Sequence, residues 1–332
     1  MERILVTGGT GYIGSHTIVE LYKKGYEIDV LDNLFNSKIT VLDKIEEICG
    51  KKPNFHKIDL CDYEKIDELF EKNKYDLVMH FAGLKAVGES VEKPLKYYEN
   101  NVGGTINLLK CMQKHGVNKI IFSSSATVYG DQSTAKLDES MQTGVGITNP
   151  YGETKHIIEE ILKDMVEADP KFEVVILRYF NPIGNHPSGL IGEDPNDIPN
   201  NLMPIIMKVS QGKIAELSVY GDDYPTVDGS GVRDYIHVVD LAKGHVAVIK
   251  KMEPGVLIYN LGTGRGTSVF EMIAAFDKAS GKKIPYKVVG RRPGDLAEIY
   301  ADPDKAEKEL GWKTELTVED AMRDTMCYLN NL

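Results

Sequence analysis

The chain has 332 residues, of which 42% are hydrophobic and 27% charged, a composition typical of a globular protein with one large domain or two moderate ones. Its formal net charge of −11 argues against general binding to nucleic acid or to an anionic membrane, because both need a basic surface. Four scattered cysteines, Cys49, Cys61, Cys111 and Cys327, form no C-x-x-C pair, which predicts reduced thiols, no disulfide framework and no metal site. No apolar run approaches the roughly 18 residues of a membrane helix, so we expect a cytoplasmic protein without a membrane partner.

Short apolar runs alternate with helix-like segments in the first half of the chain, the pattern of βαβ units and of a doubly wound, mostly parallel α/β sheet. The predicted strands are Arg3–Thr7, Glu27–Asp32, Asn54–Ile58, Leu77–Phe81, Lys119–Ser123 and Glu173–Arg178. The predicted helices are Gly11–Lys24, Val41–Cys49, Tyr63–Asn73, Pro94–Lys114 and Pro150–Glu167. After about Phe180, loops rich in Pro, Gly and Asn indicate a smaller α/β region. We predict a nucleotide-binding domain over 1–180 and a substrate region over 181–332, with a segment near 233–265 returning to the first domain.

The first predicted strand leads into Gly8, Gly11 and Gly14, spaced G-x-x-G-x-x-G and followed by a helix. Glycines at such a turn let the backbone approach a pyrophosphate, and the helix N-terminus offers free N–H donors to the anion. A plain turn would also account for a glycine trio, but its place directly after the first strand favours dinucleotide binding. The spacing is similar to that of the short-chain dehydrogenase/reductase superfamily.

Asp32 ends the second predicted strand, where an acidic side chain can accept hydrogen bonds from the adenosine ribose. Its charge would repel a 2′-phosphate, so the sequence favours NAD over NADP. An alternative that does not exclude this role is that Asp32 caps the turn into Asn33. Asp59-Leu60 and Phe81-Ala82-Gly83 end the third and fourth strands, at the carboxyl edge on which a cofactor would lie.

Tyr151 and Lys155 are the only tyrosine and lysine in the chain that are separated by four residues in this order. On a helix opened by Pro150 they share a face, so the lysine charge would favour the phenolate and make Tyr151 a candidate acid/base. Chance alone would give roughly one or two such pairs. Upstream, Ser125 closes a serine run at the end of the fifth strand, at the edge where ligands bind, although turn chemistry would explain serines alone. Glycine loop, Asp32, Ser125 and the Tyr/Lys pair, in this order, together predict a catalytic site.

Five longer motifs cover much of the remaining chain: FAGLKAVGES at 81–90, SSSATVYG at 123–130, NPIG at 181–184, PSGLIGE at 187–193 and GVRDYIHV at 231–238. With these motifs the chain resembles, over nearly its whole length, the UDP-glucose (UDP-galactose) 4-epimerases within the extended short-chain dehydrogenase/reductases. The resemblance implies a Rossmann sheet and galactose metabolism. Sister dehydratases carry an acidic pair after the serine or threonine, whereas Ala126-Thr127 supplies no acid, which argues against dehydration.

The resemblance also implies a mechanism, in which the hydrogen at C4 of the sugar leaves as a hydride to tightly bound NAD. Tyr151 would take the 4-hydroxyl proton, Ser125 would hydrogen-bond the 4-oxygen, and Lys155 would hold Tyr151 ionised and bind the nicotinamide ribose. A 4-keto sugar would then turn over and accept the hydride on its other face. Interconversion of UDP-galactose and UDP-glucose follows.

The predicted site is large because it must hold a dinucleotide and a UDP-sugar together. The residues assigned to the cofactor are Gly8, Gly11, Tyr12, Ile13, Gly14, Asp32, Asn33, Asn36, Ser37, Asp59, Leu60, Phe81, Ala82, Gly83, Lys85, Asn100, Ser123, Tyr151, Lys155 and Phe180. The residues assigned to the substrate are Ser125, Tyr151, Asn181, Asn201, Leu202, Ser218, Val219, Tyr220, Arg233, Arg292, Asp295 and Ile299.

Within the substrate set, the resemblance implies separate roles. Arg233 and Arg292 would neutralise the diphosphate, which explains how an acidic protein binds an acidic ligand. Asp295 would bind the uridine ribose, and residues 218–220 would bind the uracil. In the family, a side chain after Arg-x-Gly-Asp gates the sugar pocket; here it is Ile299, of intermediate size, which predicts glucose and galactose as the main pair with some N-acetyl tolerance.

Two alternatives stay open from the sequence. One is an epimerase of UDP-N-acetylhexosamines or of another UDP-sugar, a uronate or pentose. The other is a redox-silent NAD-binding regulator on the same fold, although such proteins tend to lose the Tyr or the Lys. We also expect a homodimer, because the helices Pro94–Lys114 and Pro150–Glu167 match those through which relatives form four-helix contacts.

Overall fold

The computed structural model describes residues 2–196, 201–292 and 294–332. Its strands are β1 (Arg3–Thr7), β2 (Glu27–Asp32), β3 (Asn54–Lys57), β4 (Leu77–His80), β5 (Lys119–Ser125), β6 (Lys136–Leu137), β7 (Glu173–Tyr179), β8 (Asn181–Ile183), β9 (Leu217–Tyr220), β10 (Val232–Arg233), β11 (Tyr235–His237), β12 (Gly255–Leu261), β13 (Thr267–Ser268), β14 (Tyr286–Val289) and β15 (Glu298–Ala301).

The α-helices are α1 (Tyr12–Lys23), α2 (Val41–Cys49), α3 (Tyr63–Lys72), α4 (Val87–Glu92), α5 (Pro94–Tyr97), α6 (Gly104–Lys114), α7 (Pro150–Ala168), α8 (Leu202–Ser210), α9 (Val238–Ala247), α10 (Val269–Ser280), α11 (Asp304–Leu310) and α12 (Val318–Asn330). A π-helical segment, Tyr98–Gly103, joins α5 to α6, and 3₁₀ turns occupy Ala126–Tyr129 and Val248–Lys251.

Seven parallel strands form the central sheet, in the order β12-β7-β5-β4-β1-β2-β3. Alternate side chains pack on opposite layers: Ile4 and Val6 belong to the core with α1, α2 and α9, and Leu5 to the core with α3, α6 and α7. The predicted doubly wound α/β fold is confirmed. From β1 the chain adds β2 and β3 on one side and then β4, β5, β7 and β12 on the other, so a switch point lies between β1 and β4. Ligands bind at the carboxyl edge of the sheet at such a point.

The predicted elements agree closely with the structure, and two differences have a physical cause. The strand β5 continues two residues beyond the prediction because Ser124 and Ser125 pair with Arg178 and Tyr179 of β7, so polar residues extend a buried strand. The predicted helix Pro94–Lys114 contains the π-helical segment, in which the chain takes a wider turn.

The second region is built from short strands. The strands β13, β10, β15 and β6 form one small sheet, β8 pairs with β11, and β9 pairs with β14. A separate core joins α8, α10 and α12, around Met203, Phe276 and Met322. This core supports the division at residue 180, which stays a prediction. The strand β12 lies in the segment expected to return, and it extends the central sheet beyond β7.

Candidate active site

The glycine loop between β1 and α1 is closed too tightly for side chains. A Cβ at Gly14 would lie 2.4 Å from the carbonyl oxygen of Gly8, and a Cβ at Gly8, where φ is +70°, would lie 2.7 Å from the nitrogen of Ala82. Helix α1 begins after Gly11 with no side-chain cap and no acidic residue in its first turn. The loop is therefore a bare backbone cradle whose free N–H groups suit an anion such as the pyrophosphate of a dinucleotide.

Asp32 lies beside this cradle and holds two loops together. Its carboxylate accepts from the backbone N–H of Thr10 at 3.2 Å, of Leu34 at 2.9 Å and from the hydroxyl of Ser37 at 3.3 Å. The capping alternative is thus observed, at Leu34, and binding of the ribose by the same carboxylate stays a prediction. Asn33 next to it donates to Asp59 at 2.8 Å, which joins the ends of β2 and β3.

The loop after β4 is held by a residue that the sequence reasoning missed. Asn101, buried in the π-helical segment, bonds both backbone groups of Leu84, at 2.8 and 3.0 Å, and donates to Thr154 of α7 at 3.0 Å. Thr154 in turn donates to the carbonyl of Tyr151 at 2.7 Å. The predicted cofactor residue Asn100 donates to Asn101 at 2.9 Å. No sequence signal identifies Asn101, because only the wider π turn directs it to this loop.

Tyr151, Lys155 and Ser125 come together where β5 meets the start of α7. Asn149 caps that helix by accepting from the N–H of Gly152 at 2.9 Å, and Pro150 occupies its first turn. Ser125, the last residue of β5, lies beside Tyr151 and favours its ionised form. The ammonium of Lys155 donates to the carbonyl of Ser123 at 2.6 Å. The structure therefore brings all three predicted catalytic residues to one point.

The charges around Tyr151 differ from the prediction in one respect. Burial raises the pKa of Tyr151, and the Ser125 side chain and the charge of Lys85 lower it. The ammonium nitrogen of Lys155 lies 6.0 Å from the centre of the Tyr151 ring and donates its hydrogen bond to the carbonyl of Ser123 instead. The cation that favours the phenolate in this structure is therefore Lys85, and direct action by Lys155 stays a prediction.

Lys85 has a partner that the sequence reasoning also missed. Its ammonium donates to the buried carboxylate of Glu193 at 2.9 Å, and Asn201 donates to the same oxygen at 3.1 Å. Burial opposes the charge of Lys85, but Glu193 raises its pKa above the ordinary value. This carboxylate joins the predicted cofactor loop to the predicted substrate region.

The predicted substrate residues lie on short elements opposite the sheet. Arg233 on β10 stands in register with Ile299 on β15. The guanidinium of Arg292 donates to both oxygens of Asp295, at 2.8 and 3.1 Å, and lies 5.5 Å from the centre of the Tyr220 ring on β9. Arg233 also approaches Asp295, at 3.9 Å. Pro293, inside the Arg-x-Gly-Asp motif, lies outside the described residues.

All of the residues predicted for cofactor, substrate and catalysis line one cavity, of about 1260 Å³. Phe180, which connects β7 to β8, and Leu202, which opens α8, also line it. Pockets for a single small ligand usually measure about 300–1,000 Å³, so this cavity has room for two. The bare backbone cradle at one end and two arginines at the other fit a dinucleotide beside a second anionic ligand.

Two classes of site are absent from the described part of the chain. No group of three or more His, Cys, Asp or Glu among these residues is arranged to hold a metal ion. Within the same residues, no helix has the length and apolar character needed to cross a membrane.

Comparison with known proteins points to one family. The model of the NAD dependent epimerase/dehydratase family matches residues 4–262. A UDP-glucose 4-epimerase from Bacillus subtilis is 57% identical, over 97% of this chain and 95% of its own. The crystal structure of UDP-glucose 4-epimerase from Bifidobacterium longum, in complex with NAD+ and UDP, has a TM-score of 0.96 and 54% identity, over 99% of this chain and 98% of its own.

A second solved structure is similar along the whole chain. The UDP-glucose-4-epimerase from Stenotrophomonas maltophila, with bound NAD and formylated UDP-arabinopyranose, has a TM-score of 0.95 and 44% identity, over 100% of this chain and 98% of its own. The chain therefore belongs to the NAD dependent epimerase/dehydratase family, among the UDP-glucose 4-epimerases.

Proposed function

We propose that this protein interconverts UDP-galactose and UDP-glucose by epimerisation at C4, with NAD as a tightly bound cofactor. The observation that carries the proposal is that Tyr151, Ser125 and Lys155 meet inside the one cavity that joins the glycine cradle to Arg233 and Arg292. Solved relatives that share 54% and 44% identity bind NAD with UDP or with a UDP-sugar. Bound NAD supplies the acceptor, and then the donor, of the hydride.

Tyr151 is the proton carrier of the proposed reaction. Its phenolate takes the proton from the 4-hydroxyl of one sugar and returns it to the 4-oxygen when the 4-keto intermediate, turned over in the pocket, accepts the hydride on the opposite face of C4. Ser125, which lines the same cavity beside Tyr151, holds the 4-oxygen in line with the phenolate. General acid/base catalysis of this kind contributes roughly 10²–10⁴-fold. The charge of Lys85 stabilises the phenolate against the effect of burial.

The nucleotide end of the substrate is held more firmly than the sugar end. Arg233 and Arg292 share Asp295, and a diphosphate beside them would replace one weak 3.9 Å contact with charge-assisted hydrogen bonds. At the sugar end Ile299 offers an apolar surface without hydrogen bonds from its side chain. This asymmetry supports an intermediate that rotates in the pocket while the nucleotide stays bound.

Elimination of water, the other reaction of the family, is disfavoured by the residues after Ser125. A dehydratase needs an acid at this point, and the cavity wall carries Ala126 and Thr127 there. Neither side chain supplies a proton at neutral pH. Epimerisation needs no group besides Tyr151 for this purpose.

The activity is tested by incubating the purified protein with UDP-galactose, without added NAD, and separating the products by anion-exchange chromatography. We expect UDP-glucose to form, because the cofactor stays bound through the cycle. Turnover that requires added NAD would instead indicate a dehydrogenase with a dissociable cofactor.

Tyr151→Phe tests the proposed proton carrier. We expect kcat to fall by roughly 10²–10⁴-fold while UDP still binds. Tyr286→Phe, which removes the hydroxyl of a half-exposed tyrosine outside the cavity, is the matched control and should retain full activity. Unchanged activity of Tyr151→Phe would show that Tyr151 is not the proton carrier, whereas a wild type without activity would favour the redox-silent regulator.

We also propose a cytoplasmic homodimer. The apolar groove between α6 and α7, lined by Ile106, Leu109, Ile161 and Met165, supports association through these helices. The four cysteines are free, which supports a reducing compartment. Light scattering should give twice the 37.0 kDa of one chain, and Ile161→Glu should reduce it to one.

A further inference from the structure

A buried carboxylate that the proposed chemistry does not use lies directly beneath the catalytic residues. Glu159 is on α7, one helical turn after Lys155 and two after Tyr151, so the three side chains share one face of the helix. Its side chain is fully buried, and so is that of Arg178 on β7 apart from 2%. A charge in this position needs strong partners, because burial of an isolated ion is very unfavourable.

Those partners are specific. The guanidinium of Arg178 donates to both oxygens of Glu159, at 3.0 and 2.6 Å. The hydroxyl of Ser124 donates to the same carboxylate at 2.5 Å. Ser124 stands in β5 between Ser123, whose carbonyl accepts from Lys155, and Ser125, which lies beside Tyr151. The carboxylate therefore ties α7, β5 and β7 together where the catalytic residues begin.

Glu159 is also the charge that balances Lys155. The charged or titratable groups that face Lys155 in the described structure are His80 from β4, Tyr151 and Glu159 from α7, and, behind Glu159, Arg178 from β7. Burial keeps His80 uncharged by lowering its pKa to about 3. Glu159 is thus the sole anion in this group, and it faces two buried cations.

Stability alone does not explain the buried pair of Glu159 and Arg178, because two apolar side chains of similar volume are often as stable. Glu159 does more than pair with Arg178, because its charge also acts on Lys155. We propose that Glu159 is a positioning residue of the active site: its carboxylate keeps Lys155 charged and, through Ser124, fixes the end of β5 that carries Ser125. This inference rests on the proposed function for its effect on catalysis, but its effect on Lys155 does not.

The electrostatic consequence has a definite direction. Burial lowers the pKa of Lys155 to about 8, and Glu159 opposes that fall. Without the carboxylate, Lys155 would lose its proton at a lower pH and would be mostly neutral near pH 8.

The first test follows Lys155 itself. Acetylation by dilute acetic anhydride, read by peptide mass spectrometry across pH 6–10, gives the midpoint at which each lysine becomes reactive; Lys283, whose side chain is 93% exposed, is the internal reference. We expect a midpoint near pH 8 for Lys155 in the wild type and about one unit lower in Glu159→Gln. Glu159→Asp, which keeps the charge, should stay close to the wild type. Equal midpoints in all three proteins would overturn the proposal.

The second test follows catalysis. In Glu159→Gln the alkaline limb of the pH profile of kcat should move to lower pH, with a loss of about fivefold at pH 8 and little loss at pH 6. Glu159→Asp should change kcat by a similar factor at both pH values. If the wild type shows no epimerase activity, the proposed function fails, whereas the acetylation test still decides the role of Glu159.

Glu159→Gln leaves Arg178 unpaired and could therefore prevent folding. The double variant Glu159→Gln, Arg178→Gln removes both charges of the pair and provides the same test. The proposal requires its Lys155 midpoint to be below that of the wild type. A wild-type midpoint in the double variant would show that the pair serves stability alone.

Discussion

Two buried aspartates, one in the predicted nucleotide-binding domain (the nucleotide side) and one in the predicted substrate region (the substrate side), show how differently the two regions are held together. Asp29 on β2 accepts from Arg3 at 2.8 and 3.1 Å, from Tyr75 at 3.0 Å and from His56 at 2.9 Å, all of them side chains of neighbouring elements of the nucleotide side. Burial opposes its charge, but these donors, with His56 first, lower the pKa of Asp29 to about 2.

Asp234, next to Arg233, has a different set of donors. It accepts from the backbone N–H groups of Thr263, Gly264 and Ala301, at 2.9–3.1 Å, and burial raises its pKa. On the nucleotide side, Asp29 adds hydrogen bonds to the central sheet, which strand pairing and the apolar core already hold together. On the substrate side, a carboxylate itself joins three short segments into the wall that carries Arg233.

Gly14→Ala should have the largest effect on the nucleotide side, on both NAD binding and stability. The new Cβ would meet the carbonyl of Gly8 at 2.4 Å, and neither backbone can move without closing the cradle. We expect loss of retained NAD and a fall of about 3 kcal/mol in the free energy of unfolding, measured by absorbance and by urea unfolding. Gly290→Ala, where the Cβ would meet nothing within 4 Å, should leave both unchanged.

Asp234→Asn is the corresponding change on the substrate side. The amide nitrogen cannot accept the hydrogen bonds of Thr263, Gly264 or Ala301, so the unfolding free energy should fall by about 2–3 kcal/mol. Displacement of Arg233 should raise KM for the UDP-sugar while bound NAD is retained. Loss of NAD in this variant would contradict the separation of the two sides.

Asp29 gives a pH-dependent prediction for the nucleotide side. Because its folded pKa is below that of the unfolded chain, its stabilisation is complete above about pH 4 and is lost as the pH falls towards 2. The loss should reach about 2 kcal/mol. Asp29→Asn should therefore unfold more easily than the wild type at pH 6 and about equally at pH 2, as measured by urea unfolding.

Ile299→Gly has the smallest expected effect, and it tests whether Ile299 limits the size of the sugar that the pocket accepts. A smaller side chain beside Arg233 makes room for an N-acetyl group, so turnover of UDP-N-acetylglucosamine should rise by up to about tenfold. UDP-galactose turnover, measured in parallel, should fall by less than that factor. If UDP-N-acetylglucosamine turnover does not rise, Ile299 does not gate the pocket.

The sequence predicted the nucleotide side far better than the substrate side, and the reason is periodicity. The strands β1 and β2 and the helix α2 have the predicted bounds, because alternating and 3.6-residue apolar patterns are local signals. The strands β6, β10 and β13 have two residues each and pair only with distant segments. Two residues are too few to show an alternation of apolar and polar side chains, so the sequence does not predict these strands.

The candidate site divides in the same way. The glycine spacing, Asp32 and the Tyr151/Lys155 spacing can be read directly from the sequence. The longer motifs predicted the remaining site residues, and the structure places all of them in one cavity. The sequence did not predict roles for Asn101, Glu193 and Glu159, because the role of a buried polar residue shows only in the residues with which it forms hydrogen bonds or ion pairs. Apart from Asn100, which is adjacent to Asn101, those partners are 8 to 108 positions away in the chain.

By itself, the sequence determined the parallel sheet and the glycine turn after its first strand, and it identified Tyr151, Lys155 and Ser125 as the candidate reacting groups. Each of these follows from local spacing, because strands, turns and helix faces are set by neighbouring residues. Only the tertiary structure decided which charges act on those groups: Lys85 on Tyr151, and Glu159 on Lys155. Electrostatic effects depend on distance and burial in space, and separation along the chain fixes neither.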